Sequence, residues 1–334
     1  MAKERLIWAD SLKGWLMILV ILGHVLQQLA GGVDGGSHLW AMIYSFHMPA
    51  FIAASGWFAY RKNRPWGEYK SVIGRRFMQL MVPFLLWSVI KLVRGWDFSY
   101  NTIADVVLRP DTSFWFLWVL FWINVIFIGC QLLADKLKKD ELLIVGGAAI
   151  MLVTLMVGAN IRVFGFQFLA YYFVFYLLGY CLHRFEQIRV SNKWLICIMT
   201  FVWLYLAWYW QMSHVPSNIA GIPHLPSSLV LSGYRFLTAT LAVVVILSKA
   251  PQCLNGKNQL NMKAVEMGVI SLGIYTVHLL LIDDLIALIR IVWANIPYWM
   301  LIVMTFVVLT IASFSIVKLL SLNKFTSKFL LGKV

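Results

Sequence analysis

A chain of 334 residues that is 61% hydrophobic, 15% aromatic and only 13% charged sits far from the roughly 25% charge of a soluble domain. Its apolar residues are gathered into long runs, which excludes a soluble globular protein and points to an all-α polytopic membrane protein. The 28 Lys and Arg against 14 Asp and Glu give a net charge of +14, but the placement of the basic residues speaks for membrane topology and not for nucleic acid.

Apolar runs fall at 12–30, 39–60, 77–94, 114–133, 142–159, 168–182, 194–212, 229–248, 267–289 and 296–320. Most approach the ~20 residues that cross a bilayer, so about ten transmembrane helices are expected. Alternate connections, including Arg61, Lys62, Arg64, Lys138, Lys139 and Lys257, together with both ends of the chain, hold 22 of the 28 basic residues. The other side keeps Lys91, Arg94, Arg109, Arg162, Arg235 and Arg290. By the positive-inside rule both termini are cytoplasmic, which an even number of spans requires. The expected location is the cell (plasma or inner) membrane, multi-pass. The first run could pass for a signal peptide, yet Asp10 stands at its mouth and His24 lies inside it, so it reads as a helix of the mature protein. Residues 1–334 read as a single transmembrane domain with no appended soluble domain. Cys130, Cys181, Cys197 and Cys253 are scattered without metal-type spacing and read as small apolar residues; no metal site is expected.

The first helix carries Asp10-Ser-Leu-Lys13-Gly-Trp and, eleven residues after Lys13, His24. Eleven steps cover about 16 Å and three turns, so one helix face runs from a cation at the cytoplasmic boundary to an imidazole deep in the membrane. Ionisable groups at such depth are expensive and mark function. Taken singly, Lys13 also fits a lysine that snorkels to the headgroups, and His24 a hydrogen bond between helices.

The second run contains Tyr44-Ser-Phe46-His47-Met-Pro49 and then Ser55-Gly56. His47 lies about 12 Å below the outer end, a depth His24 can share from the opposite direction. Pro49 removes a backbone donor and is expected to kink this helix; Ser55-Gly56 permits a close helix approach. Before the third run, Arg75-Arg76 can clamp phosphates bidentately, or can contact anionic lipid. Phe114-Trp115-Phe116-Leu117-Trp118 opens the fourth run at the outer side, where Trp115 and Trp118 fit an aromatic belt and can also stack on sugar rings. In the ninth run, Ser271-Leu-Gly273-Ile-Tyr275 leads one turn later to His278 on the same face. Asp283 and Asp284 follow near its outer end, interfacial and within pairing range of Arg290. The loop 213–228 holds His214 and His224.

In this order the segments resemble the acyltransferase-3 family of integral membrane acyltransferases, in particular its fucose 4-O-acetylase-like and polysaccharide O-acetyltransferase branch. The likeness rests on Asp10-x-x-Lys13-Gly14 with Leu-Gly-His24, on Phe46-His47-Met-Pro49 with Ser55-Gly56, on Arg75-Arg76 leading to Pro83-Phe84, on Trp115-Phe-Leu, and on Ser271-Leu-Gly-Ile-Tyr275-x-x-His278. Many family members have arginine where this chain has Lys13, which keeps the charge and loses the planar fork.

The resemblance implies transfer of an acetyl group from cytoplasmic acetyl-CoA, a co-substrate with no further cofactor, to a hydroxyl of a polysaccharide or lipid-linked glycan. Asp10, Lys13, Arg75 and Arg76 would hold the acyl-CoA, whose pantetheine arm is comparable in length to the Lys13-to-His24 spacing. His24 would act as general base or as transient acyl acceptor, with His47, Tyr275 and His278 completing the catalytic group. Trp115 and Trp118 would contact the acceptor. Homo-oligomerisation stays open. The rival readings are a transporter or flippase for a sugar-linked or anionic substrate, against which stands the lack of a visible inverted repeat and of deep acidic residues, and a haem protein ligated by histidines.

Overall fold

The computed structural model describes residues 6–31, 36–59, 66–110, 113–137, 146–151, 153, 163–219, 227–256 and 258–333. The run 142–159 lies largely outside them, as do Lys3, Arg5, Arg61, Lys62, Arg64, Lys138, Lys139, Arg162, His224 and Lys257. The described residues form helices and turns with no strand. Among the described residues, seven helices are long and apolar enough to cross a membrane: Ile7–Ala30, Gly67–Gly95, Trp115–Leu137, Val163–Arg184, Ser227–Cys253, Ser271–Val292 and Tyr298–Leu322. The protein is therefore an all-α polytopic membrane protein. The run 194–212 gives Lys193–Trp208, an apolar helix of 16 residues.

Burial follows the logic of a lipid solvent. Along Tyr298–Leu322, Val303, Val307 and Ile311 are exposed, whereas Thr305, Leu309 and Ser313 are wholly buried. The helix therefore turns hydroxyls inward and hydrocarbon outward, the reverse of a soluble amphipathic helix.

Two compact units are present: Met1–Ala54 with Cys181–Ile316, and Ser55–Tyr180 with Val317–Val334. In the first, Ile7–Ala30 packs against Gln259–Val269, Ser271–Val292, Ser227–Cys253 and His38–Tyr44. Gly14 and Gly268 make the tightest of these contacts. A Cβ on Gly14 would fall on the Ala264 carbonyl, and one on Gly268 on the Asp10 carbonyl, so the two helices meet backbone to backbone. Ser11 donates to buried Asn261 across the same crossing. Asn258 caps Gln259–Val269 by accepting from the Asn261 amide at 2.8 Å, and Gly31, at φ 67°, ends the first helix in the left-handed conformation.

The run 39–60 does not become one kinked helix. It forms His38–Tyr44 and His47–Trp57, separated at Ser45-Phe46. Pro49 explains the break, because in a continuous helix its ring would strike the carbonyl of Ser45 four residues earlier and its missing N–H would leave that carbonyl bare. By restarting at His47, the chain places Pro49 in a first turn, where no intrahelical donor is needed.

In the second unit a Cβ on Gly56 would fall on the Tyr176 carbonyl, so Ser55-Gly56 does allow a backbone approach. Tyr69 donates to Asp135, and Tyr176 donates to Asn124 at 3.1 Å in a buried pair. A π-helical turn, Phe77–Met81, follows Arg75-Arg76. The chain's last segment lies beside it: Trp87 Nε1 donates to the Leu330 carbonyl at 2.9 Å.

Candidate active site

Ile7–Ala30, the His38–Tyr44/His47–Trp57 pair and Ser271–Val292 bring His24, Tyr44, His47, Tyr275 and His278 together inside the first unit. The His24 ring lies 5.3 Å from that of His278, centre to centre, and tilted at 46°. Tyr275 stands 6.0 Å from His278. Tyr44 sits between the other two histidines, with its ring 4.8 Å from His47 and its hydroxyl oxygen 3.3 Å from His24 Nδ1. His47 and His278 are buried, at 3% and 0% exposure, while His24 is partly open.

Two of the three imidazoles have defined tautomers. His47 Nδ1 lies 2.7 Å from the Ile43 carbonyl and His278 Nδ1 lies 2.8 Å from the Ile274 carbonyl. A carbonyl only accepts, so each Nδ1 carries the hydrogen and each Nε2 carries a lone pair. His278 Nε2 is buried and meets no hydrogen-bond partner among the described residues. A buried acceptor of this kind is costly unless something donates to it.

At the foot of the same helix, Lys13 Nζ pairs with Asp10 Oδ1 at 2.8 Å, and the Lys13 side chain keeps 35% exposure against 11% for Asp10. The cation is already neutralised, yet reachable. At the head, Gln28 Nε2 donates to Asp283 Oδ1 at 2.5 Å, tying the first helix to Ser271–Val292 on the side away from Lys13.

The remaining sequence-predicted residues belong to the second unit. Arg75 is exposed and Arg76 partly so; Arg76 donates to Gln79 Oε1 at 3.2 Å. Trp115 is stacked with Phe168 and Tyr172 at 4.8 and 5.1 Å. Trp118 donates its indole N–H to the Phe164 carbonyl at 3.0 Å, and its ring borders a cavity of about 260 Å³ whose other walls include Trp122, Ile126, Phe166 and Leu169. Sequence reasoning passed over Tyr44, Gln27 and Trp40. Gln27 carried a faint signal, a carboxamide one turn beyond His24 in an apolar helix; Tyr44 read only as part of a motif.

Residues 6–318 match the model of the acyltransferase domain called acyltransferase-3, and the chain belongs to that family. Among curated proteins it is similar to the nodulation protein NolL of Mesorhizobium japonicum, with 32% identity over 184 residues that make up 51% of this chain and 46% of that protein. It is also similar to the nodulation protein NolL of Sinorhizobium fredii, with 30% identity over 193 residues, 54% of this chain and 49% of that protein. The chain thus spans about half the length of the curated relatives it matches. No solved structure matches it.

Proposed function

We propose that this protein is a membrane O-acyltransferase that moves an acetyl group from cytoplasmic acetyl-CoA to a hydroxyl of a cell-surface glycan or its lipid-linked precursor, of the fucose 4-O-acetylase-like and polysaccharide-acetylating kind. The observation that carries the reading is the grouping of His24 with His278, Tyr44 and His47, with His24 on the same helix as Lys13, in a chain of the acyltransferase-3 family. The phosphates of CoA stay at the inner face, contacted by Lys13; Arg75 and Arg76 are carried over from the family resemblance as further candidates for that anion. The pantetheine arm runs up the first helix and delivers the thioester toward His24.

The acceptor hydroxyl oxygen then bonds to the thioester carbonyl carbon, the C–S bond breaks, and the hydroxyl proton passes to the His24 imidazole, which returns it to the departing thiolate. In the two-step variant His24 itself takes the acetyl group before the hydroxyl does. His278 Nε2, a buried lone pair with no hydrogen-bond partner among the described residues, accepts from a neighbouring hydroxyl of the acceptor and so aligns the one that reacts at His24. His47 holds the shape of the site through its bond to the Ile43 carbonyl, and the Tyr275 hydroxyl is the donor that faces the developing oxyanion. The apolar cavity beside Trp118 suits the hydrocarbon tail of a lipid-linked acceptor better than a sugar ring.

The test is acetyl transfer from radiolabelled acetyl-CoA into the glycan fraction of membranes carrying the protein. His24→Ala is expected to abolish incorporation while the protein remains in the membrane and monodisperse in detergent. Wild-type incorporation by that variant would remove His24 from the chemistry. A transporter would instead move the substrate across a sealed vesicle and leave no label on glycan in detergent solution.

A further inference from the structure

We propose that Tyr44 and Gln27 are positioning residues that fix the tautomer of His24, so that its Nε2 always meets the substrate as a lone pair. The inference rests on the acyl-transfer reading above and concerns which nitrogen does the work. Tyr44 has one hydroxyl hydrogen. The structure commits it to Gln27 Oε1, 2.5 Å away, so toward His24 the same oxygen can only accept. The Nδ1 of His24, 3.3 Å from that oxygen, must then carry the hydrogen, and Nε2 is left unprotonated.

The relay is built on closely packed elements. Gln27 and His24 are one turn apart on a single helix, so their side chains share a face. Tyr44 is held flat against Trp40, with rings 4.4 Å apart at 27°, and Trp40 is itself 2% exposed and packed with Leu26, Trp210 and Tyr234. The hydroxyl is thereby presented at one place and one angle. His47 and His278 reach the same state by a different route, each spending Nδ1–H on a backbone carbonyl of its own helix. Among the described residues His24 has no such carbonyl bond, and the Tyr44–Gln27 pair takes its place.

The arrangement also fits the proton's path. When Nε2 accepts the hydroxyl proton, the ring becomes a cation with two N–H donors. Its Nδ1–H already lies on Tyr44, and Tyr44 on Gln27, so the new charge spreads along bonds present beforehand and nothing has to turn.

Three substitutions and one spectrum test this. Tyr44→Phe keeps the ring that stacks on Trp40 and removes only the hydroxyl; it is expected to lower kcat about 10–100-fold, with the KM for acetyl-CoA within about twofold of wild type. Gln27→Leu should cost a similar factor, and the double variant no more than either single one, because the two act in series. Gln27→Glu, whose carboxyl still accepts from Tyr44, should restore most of the rate; an amide turned the other way would leave it as impaired as Gln27→Leu. In protein labelled with ¹⁵N-histidine, the His24 signal, assigned by its loss in His24→Ala, should show a protonated Nδ1 and a bare Nε2 in wild type.

Wild-type kcat in Tyr44→Phe, or a protonated Nε2 in the wild-type spectrum, overturns the proposal. A purely structural role for Tyr44 would leave the spectrum unchanged and lower the melting temperature instead of kcat. Should His24→Ala retain transfer, the acyl-transfer reading itself falls, an outcome distinct from an active Tyr44→Phe beside an inactive His24→Ala.

Discussion

A lysine that is already paired is a different binding residue from a bare one. Lys13 holds Asp10 at 2.8 Å with a third of its side chain open, so on the proposed reading an incoming anion exchanges with a carboxylate and does not meet a naked charge. Replacing Lys13 with Ala removes a charge-assisted contact of about 1.5–3 kcal/mol and should raise the KM for acetyl-CoA at least tenfold with kcat nearly intact. Arg75→Ala and Arg76→Ala should act in the same direction. An unchanged KM in all three would return these cations to anchoring headgroups. The histidines of the site were legible in the sequence, because an imidazole within an apolar run has few reasons to be there. Tyr44 and Gln27 were not, since a tyrosine near a membrane surface is ordinary and its meaning arises only when the broken second helix turns its hydroxyl onto the first.

Among the helices, Ile7–Ala30 and Gln259–Val269 make the most extensive crossing in the first unit. The missing Cβ at Gly14 and Gly268 lets the backbones touch, and the Ser11 to Asn261 hydrogen bond closes the contact. Gly268→Leu would drive a side chain into the Asp10 carbonyl, with neither partner a flexible tip, and should cost about 3 kcal/mol or more. Thermal unfolding in detergent would record this as a large fall in midpoint or as loss of folded protein, whereas Gly74→Leu, where nothing lies within 4 Å of the added carbon, should melt like wild type. Hydropathy located the helices well, but the second run was misread as one kinked span. Proline announces a disturbance without saying where the chain will yield, and here the yielding point is four residues upstream, at the carbonyl the ring would have struck.

Across the whole chain, the alternation of basic connections predicts about ten spans with both ends in the cytosol, and cysteine accessibility can test it. Cys253 is exposed in the 249–263 connection; a membrane-impermeant thiol reagent should reach it in inverted vesicles and not in intact cells. Ser213→Cys, on the opposite side by this count, should show the converse, and labelling of both from one side would break the alternation. Composition made the fold class plain, because lipid tolerates only helices or closed barrels and these runs have helical length. It could not reveal the two units, which are made by segments far apart in sequence. The divided second helix has a consequence for biogenesis. Its pieces, of seven and eleven residues, each fall short of the ~20 that hydrocarbon requires of a lone segment, and the turn between them is satisfied internally, with the Ser45 amide on the Ala41 carbonyl at 3.0 Å and the Phe46 amide on the Ile43 carbonyl at 3.3 Å. The first piece is sheltered by Ile7–Ala30, which is made before it, and by Lys193–Trp208, which is made long after, so its packing can be completed only when that later helix has left the ribosome.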